Sequence, residues 1–142
     1  FLDAKDAYKK HAESSYPDPE GLKAQSQKQI VALSKKVTDQ VDAALRGAEA
    51  SYAGSKFKDA IEQAKQALKL DPNNKRAAEI YGKYRRETDL KMRTLYEEAV
   101  ISEGLGAIEA AKQNWQKIVD QDHPGGDYYK KARNKLKIYG VL

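Results

Sequence analysis

Few side chains in this sequence belong to the types that perform catalysis or bind metals. The chain has no cysteine and two histidines, His11 and His123, neither of which has a nucleophile paired with it in the sequence. Glu97 and Glu98 are adjacent, and adjacent side chains diverge on a helix instead of forming an acid–base pair. Thiol, zinc and iron–sulfur chemistry are therefore excluded. We predict a protein that is not an enzyme and that holds no cofactor or metal.

Positive charge is concentrated near the C-terminal end. The formal net charge is +5, and residues 128–139 hold five cations and no acid, namely Lys130, Lys131, Arg133, Lys135 and Lys137. Aromatic rings interleaved with cations can stack on bases while the cations neutralise phosphates. Helical spacing instead places Tyr129, Ala132, Leu136 and Tyr139 on a packing face and leaves the five cations to solvent. Both interpretations stay open, and the solvated face is favoured, so nucleic acid is not the expected partner.

Length and composition fit one soluble helical domain. The 142 residues correspond to about one domain, and 33% of them are charged. No apolar run approaches the roughly 18 residues of a membrane span, and the opening residues lack the design of a signal peptide. We therefore expect no membrane span and a cytoplasmic location, with the periplasm as the alternative. A start at Phe1 instead of Met indicates a piece of a longer chain.

Helix-forming residues fill the segments between a few turn signals. Ala, Lys, Glu, Gln and Leu dominate, and apolar side chains recur at three- and four-residue steps, so the fold class is all-α. A break of the second helix near Thr38 is the alternative to one long helix. The predicted helices cover residues 3–15, 19–53, 57–70, 75–102, 107–120 and 127–139, with Asp18 and Asp127 as N-caps. Asp71 and Pro72 end the third helix, and Asn73 and Asn74 provide the turn and the cap of the fourth. Helical spacing from residue 30 onward predicts an inward face that holds Ile30, Leu33, Val37, Val41, Ala44, Ala48, Tyr52, Phe57, Ala60, Ile61, Ala64, Ala67, Leu68, Ala77, Tyr81, Tyr84, Thr88, Met92, Leu95, Ala99, Ile108, Ala111, Trp115, Ile118 and Val119.

One predicted hairpin carries a recognisable pattern of small residues, a turn aromatic and a closing proline. The matching residues are Ala48, Tyr52, Phe57, Ala60, Ala67, Leu68, Leu70, Asp71 and Pro72. The stretch 48–74 resembles one tetratricopeptide repeat (TPR), a family in which small residues let two antiparallel helices approach closely. A second, weaker copy over 95–124 matches at Ala99, Ile108, Ala111, Trp115, Ile118 and Asp122.

The resemblance implies antiparallel helical hairpins wound into a right-handed superhelix. The closing prolines, Pro72 and Pro124, are 52 residues apart, whereas the family period is about 34. The resemblance is therefore to a divergent member with elongated helices. It divides one domain, 1–142, into N-terminal helices at 1–40, the best repeat at 41–74, an elongated second repeat at 75–124 and a capping helix at 126–140.

In the tetratricopeptide family, the inner face of each first helix lines a groove that binds a peptide or a partner helix. Carried over by position, that groove would hold Asp42, Leu45, Glu49 and Tyr52 from the first copy, and Arg93, Tyr96, Val100 and Glu103 from the second. The resemblance implies a non-catalytic adaptor or scaffold whose partner is a protein or peptide. The alternative is that Tyr52 and Tyr96 only pack within the fold.

Two further functions stay open at this point. One is binding of nucleic acid or another anionic surface through the basic C-terminal helix. The other is a structural spacer or homo-oligomer, in which the long helices pair with a second copy. The C-terminal half also resembles repeat arrays attached to forkhead-associated, phosphothreonine-reading domains, which implies that the chain is part of a larger bacterial regulatory protein.

Overall fold

The computed structural model describes residues 2–12 and 22–142, with side chains at 4–10 and 22–142. The described residues form six helices and no strand, which confirms the all-α class. The predicted cap at Asp18 and the side chain of His11 lie outside the described residues. The helices are α1 (Leu2–Ala12), α2 (Leu22–Ala53), α3 (Phe57–Leu70), α4 (Lys75–Gly104), α5 (Ile108–Gln121) and α6 (Asp127–Ile138).

The two long helices, α2 with 32 residues and α4 with 30, are continuous. The predicted alternative of a break near Thr38 is wrong. Thr38 stays helical and donates a hydrogen bond from its Oγ1 to the carbonyl oxygen of Ser34 at 2.9 Å. Such back-bonding by threonine is compatible with a helix interior. Neither helix contains a proline, and α4 rises about 45 Å at 1.5 Å per residue.

Of the N-caps predicted from sequence within the described residues, the one before α4 is confirmed and the one before α6 is wrong. Asn74 caps α4 as predicted, since its side chain accepts a hydrogen bond from the backbone nitrogen of Ala77 at 2.9 Å. The N-cap of α6 is Gly126 and not Asp127, which is the first helical residue. The buried carboxyl of Asp122 lies so close to Gly126 that a Cβ there would overlap its Oδ2. Only glycine therefore fits at this cap.

In the described part of the chain, the core consists of three apolar clusters along the long helices. The largest fills the space between α4, α5 and α6 and is closed by the start of α3. The other two lie where α2 and α3 pack on the first half of α4. The fully buried side chains include several of the positions predicted from helical spacing, namely Val41, Ala48, Ala60, Ala64, Ala67, Met92, Ala99, Ala111, Trp115, Ile118, Ala132 and Leu136.

The turns that close the two hairpins, α2–α3 and α4–α5, have the same backbone conformation 51 residues apart. Lys56 N donates to Ser51 O and Ala107 N donates to Ser102 O, both at 2.8 Å. The residues before them, Ser55 and Gly106, have positive φ angles of 61° and 80°. The two hairpins are therefore built alike.

The same offset of 51 residues relates the packing of the helices that follow each hairpin. The first half of α4 packs on α3 as α6 packs on α5. Tyr52 of α2 stacks on Tyr84, and the equivalent Glu103 of α4 bonds Lys135 of α6. The helix α4 thus has two roles, because its first half covers one hairpin and its second half begins the next.

Candidate interaction surfaces

The residues predicted to line a groove divide into two sets by their surroundings. Leu45 and Tyr52 face the first half of α4, and the equivalent Tyr96 and Glu103 face α6. Leu45 is only 1% exposed in a cluster with Ala67 and Ala77, so its predicted place in an open groove is wrong. Leu45 and Tyr52 therefore contribute to the contact of α2 with α4, and Tyr96 and Glu103 contribute to the contact of α4 with α6.

Tyr52 occupies a half-buried site between α2, α3 and α4. Its ring stacks on Tyr84 with centroids 4.2 Å apart and meets the edge of Phe57 at 5.3 Å. Its hydroxyl donates a hydrogen bond to Glu87. Burial, followed by this hydrogen bond to a carboxylate, raises the pKa of Tyr52 to about 12. Lys91 lies over the rings of both Tyr52 and Phe57, so this site already has a cation above its aromatic side chains.

Glu103 anchors α6 to α4. Its carboxylate accepts hydrogen bonds from Lys135 Nζ and from the Tyr139 hydroxyl, both at 2.8 Å. These two hydrogen bonds lower the pKa of Glu103, and the bond to Glu103 raises the pKa of Lys135. Lys135 was expected to face solvent with the other cations of this helix, and that expectation is wrong because it is used in this ion pair.

The second set of predicted groove residues points away from the core at equivalent positions of α2 and α4. Asp42 and Arg93 form one equivalent pair, and Glu49 and Val100 form the other. Val100 is 43% exposed, although it is apolar. Glu49 forms an exposed ion pair with Arg76 at 3.0 Å, and Arg93 forms one with Glu97 at 2.8 Å. Exposed ion pairs of this kind contribute little to stability.

Four cations of α6 remain exposed, and no ion pair in the described part of the chain includes any of them. They are Lys130, Lys131, Arg133 and Lys137. The tyrosines beside them are occupied in packing, since the ring of Tyr128 lies 5.8 Å from that of Tyr96 and Tyr139 stacks on Trp115 at 5.5 Å. The contact of Tyr128 with Tyr96 was not predicted from the sequence. The residues 51 positions earlier, Ala77 and Leu45, lie together in one apolar cluster. The 51-residue offset is therefore the signal that could have predicted this contact.

A cavity of about 450 Å³ lies between the middle of α4 and the loop that joins α5 to α6. Arg85 and Arg86 contribute cations to its lining and His123 contributes an imidazole ring, while Asp89, Asp122 and Asp127 contribute acids. The lining therefore carries groups of both signs. Burial raises the pKa of Asp122, whose Oδ1 accepts a hydrogen bond from the His123 backbone nitrogen, but no nucleophile lies beside this pair in the lining. The cavity contains no acid–base–nucleophile set.

Among the side chains that the structure describes, at 4–10 and 22–142, no group of three or more histidine and carboxylate side chains is placed to hold a metal ion. None of the described helices combines the length and the apolar character that crossing a bilayer requires.

Comparisons with known proteins identify no relative. A scan against protein-family models, a search of curated proteins and a search of solved structures each return no match. The class that the described residues define is an all-α protein of stacked helical hairpins.

Proposed function

We propose that this protein is a non-catalytic protein-binding scaffold of the tetratricopeptide type, with elongated helices, a right-handed superhelical stack and α6 as its cap. The observation that carries this proposal is the recurrence of one hairpin, with its turn and its following helix, at an offset of 51 residues. Repeats that stack on their neighbours form an extended surface suited to binding a partner.

The binding surface in this proposal is the outward face of the first helices. Equivalent positions of successive repeats lie on the same side of a stack, so Asp42 and Glu49 of α2 continue into Arg93 and Val100 of α4. Their side chains are exposed or half-buried, and the core does not use them. A partner can therefore contact them without disturbing the packing. We name this surface the first-helix face.

The proposal is tested by site-specific photo-crosslinking in a lysate of the source cells, at low and high salt and with nuclease present. A photo-reactive residue replaces Glu49 or Val100 on the first-helix face, and matched controls carry it at Lys65 of α3 or Lys117 of α5, which are exposed elsewhere. We expect Glu49 and Val100 to capture the same protein, retained at high salt, and the two controls to capture none.

Three other outcomes would contradict the proposal. Capture that disappears with nuclease would assign the function to nucleic-acid binding through α6. A crosslinked product of twice the chain mass would indicate a spacer that pairs with its own copy. Equal capture at Lys65 and Lys117 would show that the first-helix face has no special role.

A further inference from the structure

A groove of about 730 Å³ lies between α1 and the first half of α2. Among the described residues, only these two helices line it, and its lining includes Tyr8, Leu22, Ser26, Lys28 and Gln29. Ser26 is buried, whereas the large hydrophobic side chains Tyr8 and Leu22 are 39% and 44% exposed. The clusters that join α2 to α3 and α4 lie farther along α2. The groove is therefore open at one end of the described stack, and we name it the α1–α2 groove.

The 51-residue offset relates this groove to two places that a helix fills. Ser26 is equivalent to Ala77 of α4, which lies with Leu45 of α2 in one apolar cluster. The next equivalent is Tyr128 of α6, whose ring lies 5.8 Å from that of Tyr96 of α4. In both complete hairpins, therefore, the residue at this position contacts the second half of the preceding long helix.

A second residue of the lining, Gln29, has equivalents with the same kind of contact. Ile80 of α4 packs on the cluster that contains Ala48 of α2. Lys131 of α6 places its Nζ 5.9 Å from the centroid of the Tyr96 ring of α4. The open side of α2 is thus the side on which the preceding long helix packs in both complete hairpins.

We propose that the α1–α2 groove binds an amphipathic helix of a partner protein. The helices at the two equivalent places present a large side chain, Leu45 or Tyr96, and three positions later a fully buried alanine, Ala48 or Ala99. A partner helix with the same pair places its large side chain beside Ser26 and approaches closely at the small one. The inference goes beyond the proposed scaffold function, because this groove is separate from the first-helix face.

Charge at the groove favours a partner helix that carries an acid. In both complete hairpins the preceding long helix gives a carboxylate to a cation of the next, Glu49 to Arg76 and Glu103 to Lys135. Lys28 is the cation that lines the α1–α2 groove, and no ion pair in the described part of the chain includes it. An aspartate or glutamate of the partner helix therefore pairs with Lys28.

A second copy of this chain does not offer a free helix of this kind. The second half of α2 is packed in the clusters that it shares with α3 and α4. The second half of α4 is packed in the cluster that it shares with α5 and α6. Inserting either helix into another copy would open a core, so the helix comes from a different protein.

The test is a selection of peptides of about 17 residues, which span roughly 25 Å as a helix, on the full chain. The enriched peptides are titrated by fluorescence anisotropy against the wild type and against Gln29→Trp, which places a large ring in the groove. The matched control is Gln27→Trp, at an exposed site on the other side of the same helix. Lys28→Glu and its control Lys65→Glu, on α3, test the contribution of charge. Circular dichroism checks that every variant is folded.

We expect the enriched peptides to have apolar residues at steps of three and four, to contain an acid, and to become helical when bound. Gln29→Trp should weaken their binding about tenfold or more, and Gln27→Trp less than about twofold. Lys28→Glu should weaken binding more than Lys65→Glu does. Equal losses in the two tryptophan variants, or bound peptides that are not helical, would overturn the inference.

Further outcomes separate this inference from its alternatives. A mass that doubles with concentration in the wild type, but not in Gln29→Trp, would assign the groove to a second copy and overturn the inference. If no peptide is enriched while Glu49 and Val100 still crosslink to one protein, the groove assignment is wrong and the scaffold function stands. If peptides bind the groove as expected but those crosslinks are absent, the scaffold function of the first-helix face fails and the groove assignment stands.

Discussion

Tyr52 illustrates how a residue with the profile of a binding anchor is used in packing. Exposed aromatic side chains often dominate the affinity of a protein interface. Here the ring is stacked between helices and its hydroxyl is bonded to Glu87, 35 residues later in the chain. The equivalent Glu103 is also engaged, with Lys135. Tyr52 therefore stabilises the contact of α2 with α4, and Glu103 stabilises the contact of α4 with α6.

The raised pKa of Tyr52 predicts a loss of stability at high pH. The protonated hydroxyl donates to Glu87, and the pKa rises from 10.0 to about 12, so its contribution is complete below pH 10 and disappears as the pH rises through 12. We expect Tyr52→Phe to lower the free energy of unfolding at neutral pH by about 1 to 2 kcal/mol. The gap between wild type and variant should narrow between pH 10 and pH 12 in urea titrations. A gap that stays constant between pH 10 and pH 12 would show that the pKa of Tyr52 is not raised in the folded protein.

Truncation of Phe57 is expected to cause the largest loss of stability among single truncations in the first hairpin. It is 6% exposed and closes the cluster that contains Met92 and Trp115. Phe57→Ala should lower the free energy of unfolding by about 3 to 5 kcal/mol, because it leaves a cavity in this cluster. Val31→Ala, at a site that is 69% exposed, is the control and should cost less than about 0.5 kcal/mol in the same denaturant titrations. Equal effects would mean that Phe57 is not a core residue.

At the scale of the elements, the two hairpin turns have the same backbone conformation but different residues at the position of positive φ, Ser55 in the first turn and Gly106 in the second. Both turns need a positive φ, which glycine adopts freely and serine does not. The spacing of apolar residues determines the helices on either side of each turn. The turn residue therefore affects only the free energy of the positive φ angle in the turn itself. The first hairpin therefore carries strain at Ser55 that the second avoids at Gly106.

This difference predicts opposite effects of two exchanges. Ser55→Gly should raise the free energy of unfolding by about 0.5 to 1 kcal/mol, because it removes the cost of a side chain at φ 61°. Gly106→Ala should lower it by about 1 kcal/mol, since its φ is 80°. Thermal unfolding of the two variants checks both signs. If both exchanges had the same sign, the two turns would not be equivalent in solution.

At the scale of the whole molecule, α4 couples the two hairpins. Its first half closes the clusters of the first hairpin, and its second half belongs to the core of the second. Phe57 of α3 also enters the second hairpin's cluster. The two hairpins are therefore expected to unfold as one cooperative unit.

A proline at the centre of α4 should separate the two hairpins. Leu90 is 61% exposed, so Leu90→Pro changes mainly the backbone, where an interior proline costs about 3 kcal/mol or more. In the wild type, circular dichroism and the fluorescence of Trp115, the only tryptophan, should give coincident transitions. In Leu90→Pro they should diverge, while the control Leu90→Ala should keep them together. Divergent transitions in the wild type would contradict the coupling.

The sequence by itself determined the helices and the stripes of side chains that became buried. Ala60, Ala64, Ala67, Ala111 and Trp115 were predicted from helical spacing and are fully buried. The turn and cap at residues 71–74 were also predicted, with Asn74 as the cap. These features are local, because a helix depends on contacts within a few residues and its apolar face must be inside. Whether these helices make the chain a tetratricopeptide repeat stays a prediction.

Only the tertiary structure decided which flanking side chains are covered. Leu45, Tyr52 and Glu103 all lie at the edge of an apolar stripe, where the sequence pattern does not say whether a neighbouring helix packs over them. Their partners, such as Glu87 for Tyr52 and Lys135 for Glu103, are 35 and 32 residues away in the chain. The docking of α4 and α6 brings them together, because helices pack side by side and cover one flank of each stripe.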